Sequence, residues 1–273
     1  MQSILIVGGD KRQLAFAEML KDRGHDVSIQ GFGKLGLEDE AMESPGCIFL
    51  PIPYRSQDGS LKAPYSESRL ELADIVCRYP RSVYFFGGYD AAAREAFGGQ
   101  IRYVDLIANE AYQVKNALLT AQAAVCAFQQ ASETALCDLH CIVVGYGRIA
   151  KFLCRLLAAH GAKVAAAARK ESDRVMIGME RMNAVHTDSL NRVLSEADAV
   201  FNTVPHHVFG EEELKSIRRG VILMELASPP YGMDLQMARD MGVDVRVEPG
   251  LPGRYFPESA ARAMLRAFES EDR

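Results

Sequence analysis

The stretch IVVGYGRIA, residues 142–150, carries the features of a dinucleotide-binding turn. An apolar run typical of a buried strand leads into a G-x-G-x-x-A motif, formed by Gly145, Tyr146, Gly147, Arg148, Ile149 and Ala150. The first glycine of this motif permits a tight turn, the second lets the backbone approach a pyrophosphate, and the small last residue allows close helix–strand packing. The helix that follows would direct the positive end of its dipole at the phosphates. The stretch therefore predicts a Rossmann domain that binds its cofactor through residues 145–149.

The segment after the next predicted strand, Lys163–Ala167, favours NADP over NAD. NAD-binding domains place Asp or Glu about 20 residues beyond the glycines, where it binds the ribose 2′-hydroxyl. Here the corresponding segment carries Arg169, Lys170 and Ser172. A 2′-phosphate is a dianion, and a guanidinium can bind it with two hydrogen bonds. We therefore predict NADP as the cofactor; the alternative is that the two cations form a solvated loop pair.

Two later loops are expected beside the cofactor, because ligands bind at the carboxyl ends of strands in open α/β sheets. The first lies at the end of the predicted strand Ala199–Thr203 and should line the cofactor ribose; it contains Asn202, Thr203, Val204 and Pro205. Ser228, in the loop after the next strand, should lie near the nicotinamide. His206 is a candidate proton acceptor, with an exposed loop histidine as the alternative interpretation.

Strand and helix patterns alternate along both halves of the chain, which predicts two doubly wound α/β domains with parallel sheets that flank a cleft. We expect a flavodoxin-like substrate domain at residues 1–108 and a connecting helix at 109–136. A Rossmann domain should occupy residues 137–252. The helix within 253–273 is expected to pack back towards the substrate domain.

A second glycine turn lies in ILIVGGDKRQ, residues 4–13, and lacks a third small residue. It follows the first predicted strand, so it should bind substrate rather than cofactor. We expect Gly9, through backbone N–H groups at the turn, and Arg12, through its positive charge, to bind a carboxylate of the substrate. Asp10 could orient that cation or accept a proton, which makes it the first candidate base, ahead of His206. The alternative is a tight turn with surface charges.

The composition limits the classes of function. The chain has 273 residues, of which 48% are hydrophobic and 25% charged, as in a soluble globular protein. A net charge of −5 without runs of like charge argues against nucleic-acid binding. No apolar stretch approaches the ~18 residues that span a membrane, and the chain starts without a leader pattern, so a cytoplasmic protein is expected. No spacing of Cys and His predicts a metal site.

Several motifs in one order resemble the A subunit of dipicolinate synthase from spore-forming bacteria, nearly from end to end. They are VGGDKRQ, VGYGRIA, NTVP, ELASPP with the following GMD, and EPGLPG. The resemblance implies an NADP-dependent oxidoreductase in a side branch of the lysine pathway, active in spore formation. It implies oxidation of a dihydrodipicolinate-type substrate to dipicolinate, in partnership with a flavoprotein-like B subunit. The implied fold is similar to that of D-2-hydroxy-acid and alanine dehydrogenases.

The same resemblance suggests further substrate residues. Asn116 and Thr120 match polar positions of the family, and a second carboxylate would need a cation besides Arg12, for which Arg254 is a candidate. Gln122 stands where the family has Glu, which leaves the substrate open. The alternatives are a 2-hydroxy-acid or amino-acid dehydrogenase of similar architecture and a non-catalytic NADP-binding subunit. We also expect a homo-oligomer.

Overall fold

The computed structural model describes residues 1–271, which form two compact units. Unit 1 contains Met1–Asn116 together with the segment from Pro252 onward, and unit 2 contains Ala117–Leu251. Each unit is built on one parallel sheet. Two α/β units with parallel sheets confirm the predicted fold class. No helix within residues 1–271 is long and apolar enough to cross a bilayer.

The strands are short, and every pairing between them is parallel within the described chain. In chain order they are β1 (Ser3–Val7), β2 (Asp26–Gln30), β3 (Cys47–Phe49), β4 (Val83–Phe86), β5 (Tyr103–Asp105), β6 (His140–Val144), β7 (Lys163–Ala167), β8 (Asn183–Val185), β9 (Ala199–Asn202), β10 (Ile222–Glu225) and β11 (Asp244–Val247). Strand β8 was not predicted from the sequence, because only the last of its three residues is buried.

The helices connect these strands. They are α1 (Lys11–Asp22), α2 (Leu72–Arg78), α3 (Ala91–Phe97), α4 (Glu110–Ala131), α5 (Arg148–Ala159), α6 (Glu171–Met179), α7 (Asn191–Leu194), α8 (Glu211–Ser216), α9 (Leu235–Asp240), α10 (Leu251–Tyr255) and α11 (Pro257–Glu271). The boundary between the units falls inside α4. The connecting helix therefore contributes residues to both units.

The sheet of unit 1 has the strand order β2-β1-β3-β4-β5. Its central strand β1 is buried on both faces, because its side chains alternate between two apolar clusters. Ile4 and Ile6 pack with residues of α1 and α11, whereas Leu5 and Val7 pack with residues of α2 and α3. This strand order is the flavodoxin-like 2-1-3-4-5 arrangement, whose topological switch point lies between the first and third strands. The turn at Gly8 and Gly9 follows β1 at that switch point.

The sheet of unit 2 has the order β11-β10-β9-β6-β7-β8. Counted from β6 as the first strand, this is the 3-2-1-4-5-6 order of dinucleotide-binding folds, read from the opposite edge. The order reverses between β6 and β9, and the turn at Gly145 follows β6 at this point. Each glycine turn therefore occupies the position where open α/β sheets bind ligands.

The last described helix completes the core of the first unit. Phe268 on α11 is 2% exposed, and its ring centroid lies 4.8 Å from that of Phe85 on β4 and 6.1 Å from that of Phe16 on α1. Both contacts are edge-to-face, the geometry that aromatic rings prefer. Unit 1 thus depends on a helix that lies far from its sheet in the sequence.

Replacing Phe268 with Ala should destabilise unit 1 by about 3–5 kcal/mol, because the cavity left between α11 and the sheet cannot close fully. Urea unfolding followed by far-UV circular dichroism measures this, since the chain has no Trp. The matched control Phe268→Leu keeps most of the volume and should lose clearly less. An Ala variant as stable as the wild type would show that α11 does not contribute to the core.

Candidate nucleotide and substrate sites

Gly145 is required by the shape of the second turn. Its φ of +100° lies in the left-handed region, where glycine is favoured. A Cβ at this position would collide with the hydroxyl of Thr203. That hydroxyl is itself fixed, because it donates a hydrogen bond of 2.9 Å to the carbonyl of Val144. Gly145 and Thr203 therefore bring the loops after β6 and β9 into contact at the switch point.

Gly147 has a different environment from Gly145. It is the N-cap of α5 with an ordinary φ of −78°, and a Cβ built on it would have no atom within 4 Å. No side chain caps α5. Behind the turn, Ala150 is fully buried, which permits close packing of α5 on the sheet. The start of α5 therefore presents an open helix N-terminus, a site suited to phosphate.

A cavity of about 620 Å³ opens beside this turn. Its volume is in the range typical of small-molecule sites. It is lined by residues of the turn, of the loops after β7, β8 and β9, and of α6 and α8, among them Gly145, Tyr146, Ala168, Arg169, Lys170, Asp173, Asp188, Val204, His206, His207 and Glu213. The side chains of Arg169 and Lys170 form no hydrogen bond or ion pair within residues 1–271. Two cations are thus free to meet an anionic ligand there.

The other cofactor residues predicted around α5 and α6 differ in their exposure. Arg148 is exposed and Ile149 half-buried on the first turn of α5, and Ser172 is exposed on the first turn of α6, outside the cavity lining. The ring of Tyr146 is buried beneath the Lys151 ammonium, which lies 5.3 Å from its centroid. Burial raises the pKa of Tyr146 to about 12. Its packing leaves mainly the backbone of Tyr146 to face a ligand.

Asn202 is fully buried and does not line the cavity, whereas the sequence pattern placed it beside the cofactor ribose. Its amide donates to the carbonyl of Val204 at 3.0 Å and to both carboxylate oxygens of Glu225 at 2.9 and 2.8 Å. Glu225 also accepts from the backbone N–H groups of Ala227 and Gly232. The hydrogen bonds of Asn202 and Glu225 therefore connect the loop after β9 with the loop after β10.

Glu225 was missed by the sequence analysis. Burial raises the pKa of this carboxyl, although the hydrogen bonds from Gly232, Asn202 and Ala227 oppose the shift. A charged residue at the end of an apolar strand, in the motif ELASPP, was the available signal. Pro205 and Ser228 are exposed in the loops that this network holds, outside the cavity lining.

The first turn is closed by its own residues. The N–H group of Gly8 donates to the carbonyl of Gln30 and that of Gly9 to the carbonyl of Lys62, both at 2.8 Å. The N–H group of Gly9 is therefore already used, which corrects the expectation that it binds a substrate carboxylate. Asp10 caps α1, and its side chain accepts from the N–H group of Arg12 at 3.0 Å. A carboxylate of the protein thus occupies the place that an anionic ligand would take.

Arg12 is held in one position by that same carboxylate. Its Nε donates to Asp10 Oδ1 and its Nη2 to Asp10 Oδ2, both at 2.8 Å, and Nη2 also reaches the carbonyl of Ile52 at 3.2 Å. The residue is only 4% exposed. A guanidinium has five N–H donors, and Nη1 forms no hydrogen bond within residues 1–271. The pair therefore presents a preoriented donor nitrogen beside the carboxyl end of β1.

The pair also weakens Asp10 as a base. Burial disfavours the ionised carboxyl, but the hydrogen bonds and charge of Arg12 outweigh burial, so the pKa of Asp10 lies below its ordinary value. A carboxylate with a lowered pKa is a poor proton acceptor near neutral pH. The structure thus favours a role for Asp10 in positioning Arg12 over the predicted role as base.

Two residues outside the first glycine turn lie near the pair formed by Asp10 and Arg12. Half-buried Lys62 interacts electrostatically with Arg12 and Asp10, and buried Tyr112 on α4 does so as well. Burial raises the pKa of Tyr112, so its phenol stays protonated and can donate. Gly253 packs on Asp10, since a Cβ there would lie 2.7 Å from both carboxylate oxygens. Neither Lys62 nor Tyr112 was identified from the sequence.

The other predicted substrate residues are less closely tied to the turn. Asn116 is half-buried one helical turn beyond Tyr112 on α4. Thr120 is buried further along that helix, in unit 2. Arg254 is exposed directly after Gly253, with its guanidinium 5.7 Å from the ring centroid of Tyr255. His206 lies in unit 2 at the cavity and Asp10 in unit 1, so the two candidate bases belong to different units.

The two glycines of the second turn should respond differently to substitution. Gly147→Val should abolish NADPH binding, because its side chain enters the open space at the start of α5. The fold should survive, with a loss of no more than about 1 kcal/mol from a poorer N-cap. Gly145→Val should instead destabilise unit 2 by about 1–3 kcal/mol or more, from the positive φ and the collision with Thr203. NADPH titration and thermal unfolding measure both effects, and a folded Gly147→Val protein that binds NADPH normally would contradict the assignment.

Comparison with known proteins agrees with this division of the chain. The family model for the N-terminal domain of the dipicolinate synthase A subunit matches residues 3–107. The model of the NAD binding domain of D-isomer specific 2-hydroxyacid dehydrogenases matches residues 104–229. The chain is 25% identical to the A subunit of dipicolinate synthase from Bacillus subtilis (strain 168), over 96% of this chain and 92% of that protein.

Solved structures show the same architecture. The crystal structure of the dipicolinate synthase A subunit from Bacillus halodurans has a TM-score of 0.87 at 24% identity and covers 98% of this chain and 97% of that one. Transhydrogenase from Sinorhizobium meliloti shares the fold, with a TM-score of 0.67 at 14% identity over 98% and 94% of the two chains. Unit 2 thus matches a dehydrogenase-type domain for a nicotinamide dinucleotide, and the chain is similar along nearly its whole length to dipicolinate synthase A subunits.

Proposed function

We propose that this protein is an NADP-dependent oxidoreductase that oxidises a dihydrodipicolinate-type dicarboxylate to dipicolinate. The observation that carries the proposal is the contrast between the two turns. In unit 2 the start of α5 is open beside a cavity with unpaired cations, whereas in unit 1 the start of α1 is closed by Asp10. The family relationship supplies the substrate, since the relative from Bacillus subtilis belongs to a dipicolinate synthase.

The residues of unit 2 fit a phosphorylated dinucleotide. The N–H groups at the start of α5 would hold the pyrophosphate, and Gly147 leaves room for it. Arg169 and Lys170 would bind the 2′-phosphate that distinguishes NADP from NAD. Asp173 lines the same cavity and is the residue type that binds the unphosphorylated ribose of NAD. In this proposal the positive charges of Arg169 and Lys170 outweigh it and give the preference for NADP over NAD. When bound, the oxidised nicotinamide ring supplies the hydride acceptor.

The residues of unit 1 bind and orient the substrate in this proposal. Asp10 fixes the guanidinium of Arg12, and the unpaired Nη1 binds a carboxylate of the substrate. Oxidation of the dihydropyridine ring removes a hydride and a proton, and the aromatic product makes the reaction favourable. The proton passes to water or to His206, whose imidazole forms no hydrogen bond within residues 1–271. Orientation of the reacting groups supplies much of the rate.

Replacement of Arg169 tests the cofactor. A charged hydrogen bond contributes about 1.5–3 kcal/mol, so Arg169→Ala should weaken NADP(H) about ten- to a hundredfold and leave NAD(H) almost unchanged. Isothermal titration with both nucleotides measures this. Lys163→Ala is the matched control, because Lys163 is exposed at the opposite end of β7. Equal losses for both nucleotides, or a wild-type preference for NAD, would exclude the proposed role.

Replacement of Arg12 tests the substrate site. Arg12→Ala should strongly reduce NADP-dependent formation of dipicolinate, because the substrate loses its oriented cation. NADP affinity should stay within about twofold, or roughly 0.4 kcal/mol. Arg12→Lys keeps the charge but not the two-point contact with Asp10, so it should recover turnover only in part. Full turnover in the Ala variant would contradict the site, and turnover of a 2-hydroxy acid in place of the dihydropyridine would favour a 2-hydroxy-acid dehydrogenase.

We further propose that the chain forms a homo-oligomer and works with a flavoprotein-like B subunit. The name of the relative from Bacillus subtilis supports the second partner, because it describes one component of a synthase with more than one kind of chain. Light scattering measures the mass of the protein in solution and tests the homo-oligomer. Comparison of turnover with and without the added B subunit tests the other proposal separately.

A further inference from the structure

Lys62 is the strongest unused charge beside the first turn. Its carbonyl accepts the N–H group of Gly9 at 2.8 Å, which fixes the backbone of Lys62 against the turn. Its half-buried amino group interacts electrostatically with Arg12 and Asp10, yet it forms no ion pair or hydrogen bond within residues 1–271. A partly buried ammonium without a partner is costly unless an anion balances it.

The charges around the turn do not cancel. Asp10 is neutralised by Arg12 in a two-point pair at 2.8 Å, so the ammonium of Lys62 is left as the surplus charge. Burial and the positive charge of Arg12 both lower the pKa of Lys62, while Asp10 opposes the shift. Tyr112 faces the same pair as a protonated phenol. The cluster of Asp10, Arg12, Lys62 and Tyr112 therefore has a net positive charge, which one carboxylate would balance.

Donors without acceptors point to the same conclusion. Nη1 of Arg12 and the amino group of Lys62 have no acceptor within residues 1–271. Nε2 of Gln13, a fully buried side chain whose Oε1 accepts from the N–H group of Asp10 at 2.9 Å, lacks a hydrogen-bond partner as well. Buried donors are paired in nearly all proteins, so the buried Nε2 of Gln13 calls for an acceptor, and the two cations beside the same turn favour an anionic one. A carboxylate has two oxygens and can accept from both cations at once.

We propose that Lys62 is a substrate-binding residue, and that with Nη1 of Arg12 it binds one carboxylate of the dicarboxylic substrate. This inference rests on the proposed function for the identity of that substrate. Asp10 acts as a positioning residue, since its contact with Arg12 sets the direction of Nη1. The loop from Tyr54 to Tyr65 thereby contributes to the site through Lys62.

The test is direct binding of pyridine-2,6-dicarboxylate, measured by isothermal titration on the full chain. Lys62→Met should weaken binding about ten- to a hundredfold through loss of one charged hydrogen bond, without changing NADP affinity. Lys62→Arg should bind much more tightly than the Met variant, because it keeps the positive charge. Lys11→Met is the matched control: it removes the same charge from the exposed first position of α1, where solvent screens it, so binding should stay within about twofold of the wild type.

Three results would overturn the inference: no binding to the unaltered protein, unchanged binding by Lys62→Met in a protein shown to be folded, or equal losses in the Lys62→Met and Lys11→Met variants. The proposed function has a separate outcome. Binding that depends on Lys62, in a protein that carries out no NADP-dependent oxidation, would support the carboxylate site and overturn the proposed reaction. NADP-dependent turnover by Lys62→Met with an unchanged KM for the dicarboxylic substrate would support the proposed reaction and overturn the role of Lys62.

Discussion

The N–H groups in the first turn of a helix have no partner within the helix, and each must find one elsewhere. The two glycine turns of this protein meet that constraint in opposite ways. In unit 1, Asp10 caps α1 with its own carboxylate and forms a capping box with Gln13. In unit 2, α5 starts at Gly147 with no side-chain cap. Two turns that look alike in sequence and occupy the same position in their sheets therefore differ in what they can bind.

The capping of α1 has a further consequence for charge. Because Asp10 holds Arg12 by two hydrogen bonds, the free nitrogen of the cation is already oriented. Preoriented charge costs no reorganisation when an anion arrives. The contact of Arg12 with the carbonyl of Ile52 joins the start of α1 to the loop after β3, beside the switch point of the sheet. In unit 2, Thr203 and the buried pair of Asn202 and Glu225 shape the corresponding loops.

The sequence predicted the features that depend on local patterns. The apolar run before Gly145, the glycines and the helix that follows occur within twenty residues, and the predicted bounds of β7 agree with the structure. Side-chain direction is not a local pattern. Asn202 ends an apolar strand, as a ribose-binding residue would, but its side chain is buried and donates its amide hydrogens to Glu225 on the neighbouring strand. The position of Lys62 beside the first turn could not be predicted either, since it depends on contacts with residues about fifty positions earlier in the chain.

The central claim is that the second turn binds the dinucleotide and the first binds the dicarboxylate. A crystal structure of the protein with NADP and pyridine-2,6-dicarboxylate tests it most directly. We expect the pyrophosphate at the start of α5, beside Gly147, and a carboxylate within hydrogen-bond distance of Arg12 Nη1. Phosphate density beside Gly8 and Gly9, or a dicarboxylate bound away from Arg12, would contradict the assignment of the two turns.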